Sequence, residues 1–201
     1  MANYAVFGGT FNPFHIGHYE ILMYLCKSDM FKRVLVVPSK IPPHKPAPNE
    51  ATDEDRIEMC RLACSNFVNA QICLDEFERE GPSYTIDTIR GLKEKYPRQS
   101  FYVVIGADML HTLDTWHEFN KLKRMVKFVV FNRSEYKRFN SDIKRMESKG
   151  ARIVVFNDEI LSISSTELRK NIDTGYLPFK VGEYVKKRKL YRKKDDKPKK
   201  R

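Results

Sequence analysis

Long apolar runs are missing from this sequence of 201 residues. No stretch of about 18 apolar residues occurs, so the sequence predicts no transmembrane helix. The first residues, MANYAVFGG, have neither the basic start nor the apolar stretch of a signal peptide, so we expect a cytoplasmic protein without a membrane partner. A hydrophobic content of 41% is still enough for one well-buried core.

Cysteine is scarce, and its spacing is not that of a metal site. The four cysteines lie in apolar-periodic or strand-like segments, without the close pairs flanked by Gly or His that zinc sites use. We therefore expect reduced core residues and no protein-bound metal at Cys26, Cys60, Cys64 and Cys73.

Two motifs that commonly mark a nucleotide-phosphate site are also absent. Neither G-x-x-x-x-G-K-[ST] nor G-x-G-x-x-G occurs in the sequence. Any phosphate site in this protein has to be built from other residues.

Positive charge is abundant but concentrated at one end. The segment Lys186–Arg201 holds 11 basic and two acidic residues, and so carries +9 of the net charge of +11. A lysine-rich terminal run of this kind is typical of a disordered, solubilising tail. We expect one domain over residues 1–185 and a basic tail over 186–201, with at most weak, salt-sensitive contacts between the tail and nucleic acid.

Short β-branched or apolar runs alternate with amphipathic segments along the whole chain. The runs are YAVF, RVLVVP, AQICL, FYVVIGA, VKFVVF and ARIVVF. This rhythm predicts an α/β protein with a Rossmann-like, doubly wound parallel sheet and helices on both faces. The expected helices are Gly17–Cys26, Asp53–Asn66, Tyr84–Lys95, a short turn at Leu122–Met125, Ser164–Asn171 and Pro178–Lys187. The proline-rich stretch Ser39–Thr52 follows a strand, so we expect it to form a wall or lid at the carboxyl edge of the sheet.

The segment FGGTFNPFHIGH, Phe7–His18, connects the first strand to the first helix. Gly8 and Gly9 allow a ligand to approach the backbone closely, and the free N–H groups at the helix start favour an anion, most simply phosphate. His15 and His18, three residues apart, can reach the same phosphate chain. A metal-binding histidine pair is disfavoured, because no Cys or carboxylate lies nearby to complete the ligand shell.

A second segment, ISSTELR, spans Ile163–Arg169. Ser164 and Glu167 have the spacing of a capping box, which predicts a second helix N-terminus with Arg169 one turn further on. Together the two segments resemble the [ST/H]xGH and ISSTxxR signatures of the nucleotidylyltransferase superfamily. The resemblance implies catalytic roles for His15, His18 and Arg169. It also implies an ATP site formed by Gly8, Gly9, Thr10, Phe11, His18, Gly106, Asp108, Ile163, Ser164, Ser165, Thr166 and Arg169.

Within that superfamily the chain is most similar to the bacterial nicotinate-nucleotide adenylyltransferases. The similar segments are PSKIPPHK, EREGPSYTIDTIRGLKEKYP, IGADML, TWHEF and FNR. The resemblance implies that Trp116, the one tryptophan, stacks on a pyridine ring, and that backbone N–H groups near Thr85 and His117 bind its carboxylate. It assigns a ribose hydroxyl to Asp108 and the acceptor phosphate to Lys45 and Arg133, although either cation could be an ordinary solvated charge. Asn12 stands where the family commonly has Asp, and we expect it to position acceptor atoms by hydrogen bonding.

The resemblance implies adenylyl transfer from ATP to nicotinate mononucleotide, with Mg²⁺ bound mainly by the ATP phosphates. The attacking phosphate is already an anion, which agrees with the absence of a catalytic carboxylate pair from both segments. One alternative is a sister transferase that uses phosphopantetheine or glycerol phosphate as the acceptor. Another is an RNA-binding protein that uses the basic tail. The sequence leaves the oligomeric state open, a homo-oligomer included.

Overall fold

A computed structural model describes residues 1–42, 50–132, 136–158 and 160–191. Most of the proline-rich stretch, Lys45, Arg133 and residues 192–201 lie outside these ranges. The strands are β1 (Asn3–Gly9), β2 (Arg33–Pro38), β3 (Ala70–Ile72), β4 (Ser100–Gly106), β5 (Lys127–Phe131) and β6 (Ile153–Phe156). The helices are α1 (Ile16–Lys27), α2 (Asp53–Cys64), α3 (Thr85–Lys95), α4 (Phe119–Met125), α5 (Phe139–Ser148), α6 (Ser165–Lys170) and α7 (Phe179–Arg188), with 3₁₀ segments at Ala107–Thr115 and Thr174–Tyr176.

The six strands form one sheet in the order β3-β2-β1-β4-β5-β6. Every pair of neighbours is parallel. This confirms the predicted Rossmann-like fold, and each of the six expected runs contributes a strand. The winding direction reverses between β1 and β4, and in open α/β sheets ligands bind in the crevice at that point.

Alternating residues of the strands divide the core between the two faces of the sheet. Ala5 and Phe7 of β1 pack with α1, α2 and α7 on one face. Tyr4 and Val6 pack with α3, α4 and α5 on the other. Because side chains of a strand alternate in direction, one short apolar run supplies both cores and places its carboxyl end at the crevice.

The helices differ from prediction in several places. Helix α5 and the Ala107–Thr115 3₁₀ segment were not predicted, and α4 begins at Phe119 instead of Leu122. Helix α7 continues to Arg188, beyond the expected domain boundary at 185, and Tyr191 is buried. Tyr191 therefore packs on the domain, although composition alone places it in the tail.

The cysteines are free thiols. Cys60, Cys64 and Cys73 are buried and Cys26 is half-buried, as expected of core residues. Burial raises the pKa of both Cys26 and Cys64 to about 12. Within the described ranges, no helix is long and apolar enough to cross a membrane.

Candidate functional site

The first signature segment starts inside β1, whose last two residues are Gly8 and Gly9. A Cβ on Gly9 would lie 2.9 Å from the ring of Phe11, so this glycine makes room for that ring. Phe11 has a φ of 48° and is fully buried. Its ring stacks on Phe14 at 4.9 Å and meets His18 edge-on at 5.0 Å. The aromatic packing anchors the turn that carries the chain from the sheet to α1.

His15 and His18 cap the start of α1 reciprocally. His15 N–H donates to Nδ1 of His18, and His18 N–H donates to Nδ1 of His15, each at 3.3 Å. The two rings stack with their centroids 3.6 Å apart. Since Nδ1 accepts in both rings, a neutral imidazole at either position carries its proton on Nε2. Nε2–H is then the donor of each neutral ring.

The second segment forms the start of α6, but the predicted capping box is wrong. Ser164 is the N-cap residue and makes no side-chain capping bond. Its carbonyl accepts from Glu167 N–H and Leu168 N–H, both at 3.0 Å. The hydroxyl of Ser165 instead donates to the carbonyl of Pro13 at 3.3 Å, in the first segment. The serine hydroxyl of this helix start that contacts the first segment is thus that of Ser165.

A further hydrogen bond joins the two segments at the carboxyl end of β1, and another links residues next to them. Arg169 Nη1 donates to the Asn12 carbonyl at 2.6 Å, and its Nη2 donates to Thr166 Oγ1 at 3.1 Å. Leu161 N–H donates to Glu20 Oε2 of α1 at 2.8 Å. The fold thus brings together two segments about 150 residues apart, as the sequence resemblance implies.

Gly17 makes this close approach sterically feasible. A Cβ at that position would lie 2.8 Å from the carbonyl oxygen of Leu161, inside the contact distance of carbon and oxygen. The chain that leads to the second segment therefore passes directly over the first turn of α1. Sequence reasoning did not single out Gly17 or Glu20, because their partner at Leu161 is distant in sequence.

Two further residues form hydrogen bonds to the turn between β1 and α1, and the sequence analysis identified neither. Arg56 of α2 is 1% exposed and donates from Nη1 to the Thr10 carbonyl at 2.8 Å. Tyr191 donates from its hydroxyl to Asn12 Oδ1 at 2.6 Å. Burial raises the pKa of Tyr191, which keeps this donor protonated. The side chain of Asn12 is thus engaged as a hydrogen-bond acceptor, a duty for which no carboxylate charge is required.

Beside the first segment lies a cavity of about 200 Å³. Its lining brings together residues from the predicted ATP and acceptor sites: Gly8, Gly9, Thr10, Thr85, Trp116 and His117. Thr85 is the first residue of α3, and Tyr84 before it provides no side-chain cap. The first N–H groups of a helix have no partner within that helix, so this end of α3 offers donors to an anion.

Contacts join the N-terminal end and body of α3 to the segment after Trp116, beside the cavity. The rings of Tyr84 and His117 stack at 4.2 Å. Arg90 of α3 donates to both oxygens of Glu118, at 3.1 and 3.0 Å. Hydrogen bonds from Arg90 and Lys121 lower the pKa of Glu118 to about 2. These contacts hold His117 next to the α3 N-terminus, where the sequence resemblance implies a carboxylate site.

The 3₁₀ segment Ala107–Thr115 is braced by Arg145 of α5. Arg145 donates to the carbonyls of Leu110 and His111 at 3.0 and 2.7 Å, and to Asp114 Oδ2 at 3.0 Å. This segment links the end of β4 to Trp116, so α5 stabilises the path of the chain between two predicted site positions.

The predicted site positions that the structure describes lie mainly around the β1 carboxyl end. Phe7 pairs with Val104, so Gly106 ends β4 at the same edge of the sheet, and the exposed Asp108 follows it. The predicted residues Ile163, Ser164, Ser165, Thr166 and Arg169 reach this edge through α6. Lys45 and Arg133 lie outside the described residues. In the described part of the chain, no group of three or more His, Cys, Asp or Glu is arranged to hold a metal.

Comparison with known proteins identifies similar sequences and folds. A family model described as cytidylyltransferase-like matches residues 6–171. A probable nicotinate-nucleotide adenylyltransferase of Listeria monocytogenes is 36% identical over 191 residues, which cover 94% of this chain and 97% of that protein. One from Bacillus licheniformis is 38% identical over 199 residues, covering 95% and 99%. The Plasmodium falciparum nicotinic acid mononucleotide adenylyltransferase complexed with NaAD shares the fold, with a TM-score of 0.77, 24% identity and coverage of 95% and 98%.

Proposed function

Since the chain belongs to the cytidylyltransferase-like family and, within it, to the nicotinate-nucleotide adenylyltransferases, we propose that it is a nucleotidyltransferase of NAD biosynthesis. The reaction transfers the adenylyl group of ATP to nicotinate mononucleotide. The products are nicotinate adenine dinucleotide and pyrophosphate. Free thiols at all four cysteines agree with a reducing, cytoplasmic setting.

One structural observation carries the proposal. The hydrogen bond from Arg169 to the Asn12 carbonyl, 2.6 Å long, joins the two signature segments beside a cavity that contains Thr85 and Trp116. A phosphate site and an acceptor site thus share one crevice. This is the arrangement that a direct transfer between two bound nucleotides requires.

Charge stabilisation is the chemistry that these side chains provide. The acceptor's phosphate oxygen attacks the α-phosphorus of ATP, and the bond to the pyrophosphate oxygen breaks. No proton has to be removed from this nucleophile, so the site needs no general base. Nε2–H of His15 and His18 and the guanidinium of Arg169 stabilise the negative charge that develops on the transferred group and on pyrophosphate.

The residues present fit phosphate oxygens better than they fit a metal ion. Backbone N–H groups, imidazole N–H groups and a guanidinium are all donors, whereas Mg²⁺ requires oxygen ligands. We therefore propose that Mg²⁺ enters with ATP and is held by phosphate and water oxygens. When bound, it neutralises part of the triphosphate charge.

A pyrophosphate-release assay tests the proposal. ATP is supplied with nicotinate mononucleotide, phosphopantetheine or glycerol 3-phosphate in turn. We expect release only with the pyridine nucleotide, and release only with another acceptor would refute the assignment.

Removal of the tail separates this function from RNA binding. The structure sets the cut after Tyr191, because this buried residue bonds Asn12. Deletion of residues 192–201 should leave adenylyl transfer nearly intact. RNA binding that this deletion abolishes, with no adenylyl transfer by either the full chain or the shortened one, would favour the RNA-binding alternative.

A further inference from the structure

Asn12, in the turn between β1 and α1, is bonded from two distant parts of the chain. Its backbone carbonyl accepts from Arg169 Nη1, and its side-chain Oδ1 accepts from the Tyr191 hydroxyl, each at 2.6 Å. Asn12 is 1% exposed, so the atoms that accept these bonds are shielded from bulk water. One buried residue thus stands between Tyr191 and the predicted catalytic arginine.

The bond to Asn12 ties the guanidinium of Arg169 to the first segment. A second hydrogen bond, from Arg169 Nη2 to Thr166 Oγ1 at 3.1 Å, lies within α6. That bond moves with the helix, so it cannot by itself fix Arg169 relative to His15 and His18. The position of the guanidinium beside these histidines therefore depends on where the Asn12 carbonyl lies.

Tyr191 adopts an unusual backbone conformation that brings its hydroxyl to Asn12. Its φ of 61° is left-handed, a conformation that bulky L residues rarely adopt and that persists only where the surrounding contacts fix it. Here the ring is buried, and the hydroxyl lies 4.0 Å from Met59 Sδ of α2. Because sulfur is a weak acceptor, the hydroxyl proton is directed to Asn12 Oδ1.

Tyr191 follows helix α7, which is anchored on α2 by separate contacts. Tyr184 donates from its hydroxyl to Asp55 Oδ1 at 2.8 Å, and Arg188 Nε donates to the same oxygen at 3.1 Å. These two bonds do not involve the signature segments. The chain therefore offers two tyrosine hydroxyls in the same region, of which one bonds the turn and the other bonds only α2.

Building on the proposed function, we propose that Tyr191 is a positioning residue for adenylyl transfer, which holds Asn12 and through it the guanidinium of Arg169. Buried acceptors nearly always have a partner. Without the hydroxyl, we therefore expect Asn12 to turn toward another donor and to shift its peptide. Arg169 then moves with the carbonyl that it bonds. Misplacement of a group that stabilises charge in the transition state lowers kcat more than it weakens ATP binding.

Tyr191→Phe removes the hydroxyl and keeps the ring. We expect kcat to fall about tenfold while KM for ATP changes less than about threefold. The matched control is Tyr184→Phe, which loses a hydroxyl bond of the same region and should keep kcat within about twofold of wild type. Rates are measured well below the Tm of every variant, so that lost stability alone does not lower them. Wild-type kcat in Tyr191→Phe, or equal losses of kcat in the two variants, would overturn the inference.

A double-mutant cycle tests the route through Arg169. In an Arg169→Ala background, Tyr191→Phe should lower kcat less than about twofold, because the group that Asn12 holds is then absent. Losses of kcat that multiply in the double variant would overturn this route, since a residue that acts independently of Arg169 gives that result.

Asn12→Leu probes the same bond from its other side and serves if Tyr191→Phe does not fold. Leucine has nearly the shape of asparagine but accepts no hydrogen bond from the hydroxyl. We expect a loss of kcat of about tenfold with little change in KM for ATP, and wild-type kcat would overturn the inference. Absence of pyrophosphate release by the wild-type protein with nicotinate mononucleotide would instead refute the proposed function.

Discussion

Gly17→Ala tests whether the approach of the two signature segments controls catalysis. The added Cβ would lie 2.8 Å from the Leu161 carbonyl oxygen, compared with about 3.3–3.6 Å for a close carbon–oxygen contact. The obstacle is backbone, so the Leu161 segment has to move by about half an ångström or more. Ile163–Arg169 follows immediately and is carried with it.

We expect a clear loss of kcat and only a modest loss of thermal stability. A misplacement of about 1 Å costs roughly 100-fold in rate, so we expect kcat for adenylyl transfer to fall about tenfold or more. Overpacking costs about 1–3 kcal/mol, offset by about 1 kcal/mol because Ala favours a helix over Gly. For a chain of this size, Tm should therefore fall by only about 0–8 °C.

The matched control is Gly91→Ala in α3, where an added Cβ meets no atom within 4 Å. This variant should keep its kcat and gain up to about 1 kcal/mol of stability. Pyrophosphate release and thermal unfolding are measured on both variants. Wild-type kcat in Gly17→Ala would show that the Leu161 segment adjusts without disturbing the site, and would refute the reasoning.

Other substitutions test single residues of the site. His18→Ala should lower kcat about 10²–10³-fold while weakening ATP binding much less, and a loss below fivefold in steady-state kinetics would contradict its role. Arg169→Lys should lower the adenylyl-transfer rate, because one ammonium group cannot replace a planar guanidinium that also bonds the Asn12 carbonyl. Wild-type activity in this variant would show that Arg169 does not act at the site. Wild-type kcat/KM for nicotinate mononucleotide should exceed that for nicotinamide mononucleotide at least about 100-fold, and equal values would refute the preference for the acid. Trp116→Ala should lower both kcat/KM values while preserving their ratio. Tyr191→Phe should lower the free energy of unfolding by about 1–3 kcal/mol, since Asn12 Oδ1 loses a buried donor, and an unchanged urea midpoint would show that water replaces the hydroxyl.

Local pattern in the sequence determined the strands, the sheet and the place of the crevice. Each apolar run is short and bounded, and in a parallel α/β sheet every strand needs a helical crossover, so order along the chain limits the topology strongly. The same local signals predicted α1 from Gly17, and the helix begins one residue earlier, at Ile16, directly after His15. Both signature segments could be recognised because each is contiguous.

Only the tertiary structure decided which partners complete the site. The hydroxyl of Ser165 bonds the carbonyl of Pro13, 152 positions away, while Ser164 forms no side-chain cap. Composition assigns Tyr191 to a charged tail, but its ring is buried and its hydroxyl reaches Asn12. Such contacts join residues far apart in sequence, and their strength depends on burial. Local periodicity and motif spacing therefore do not predict them.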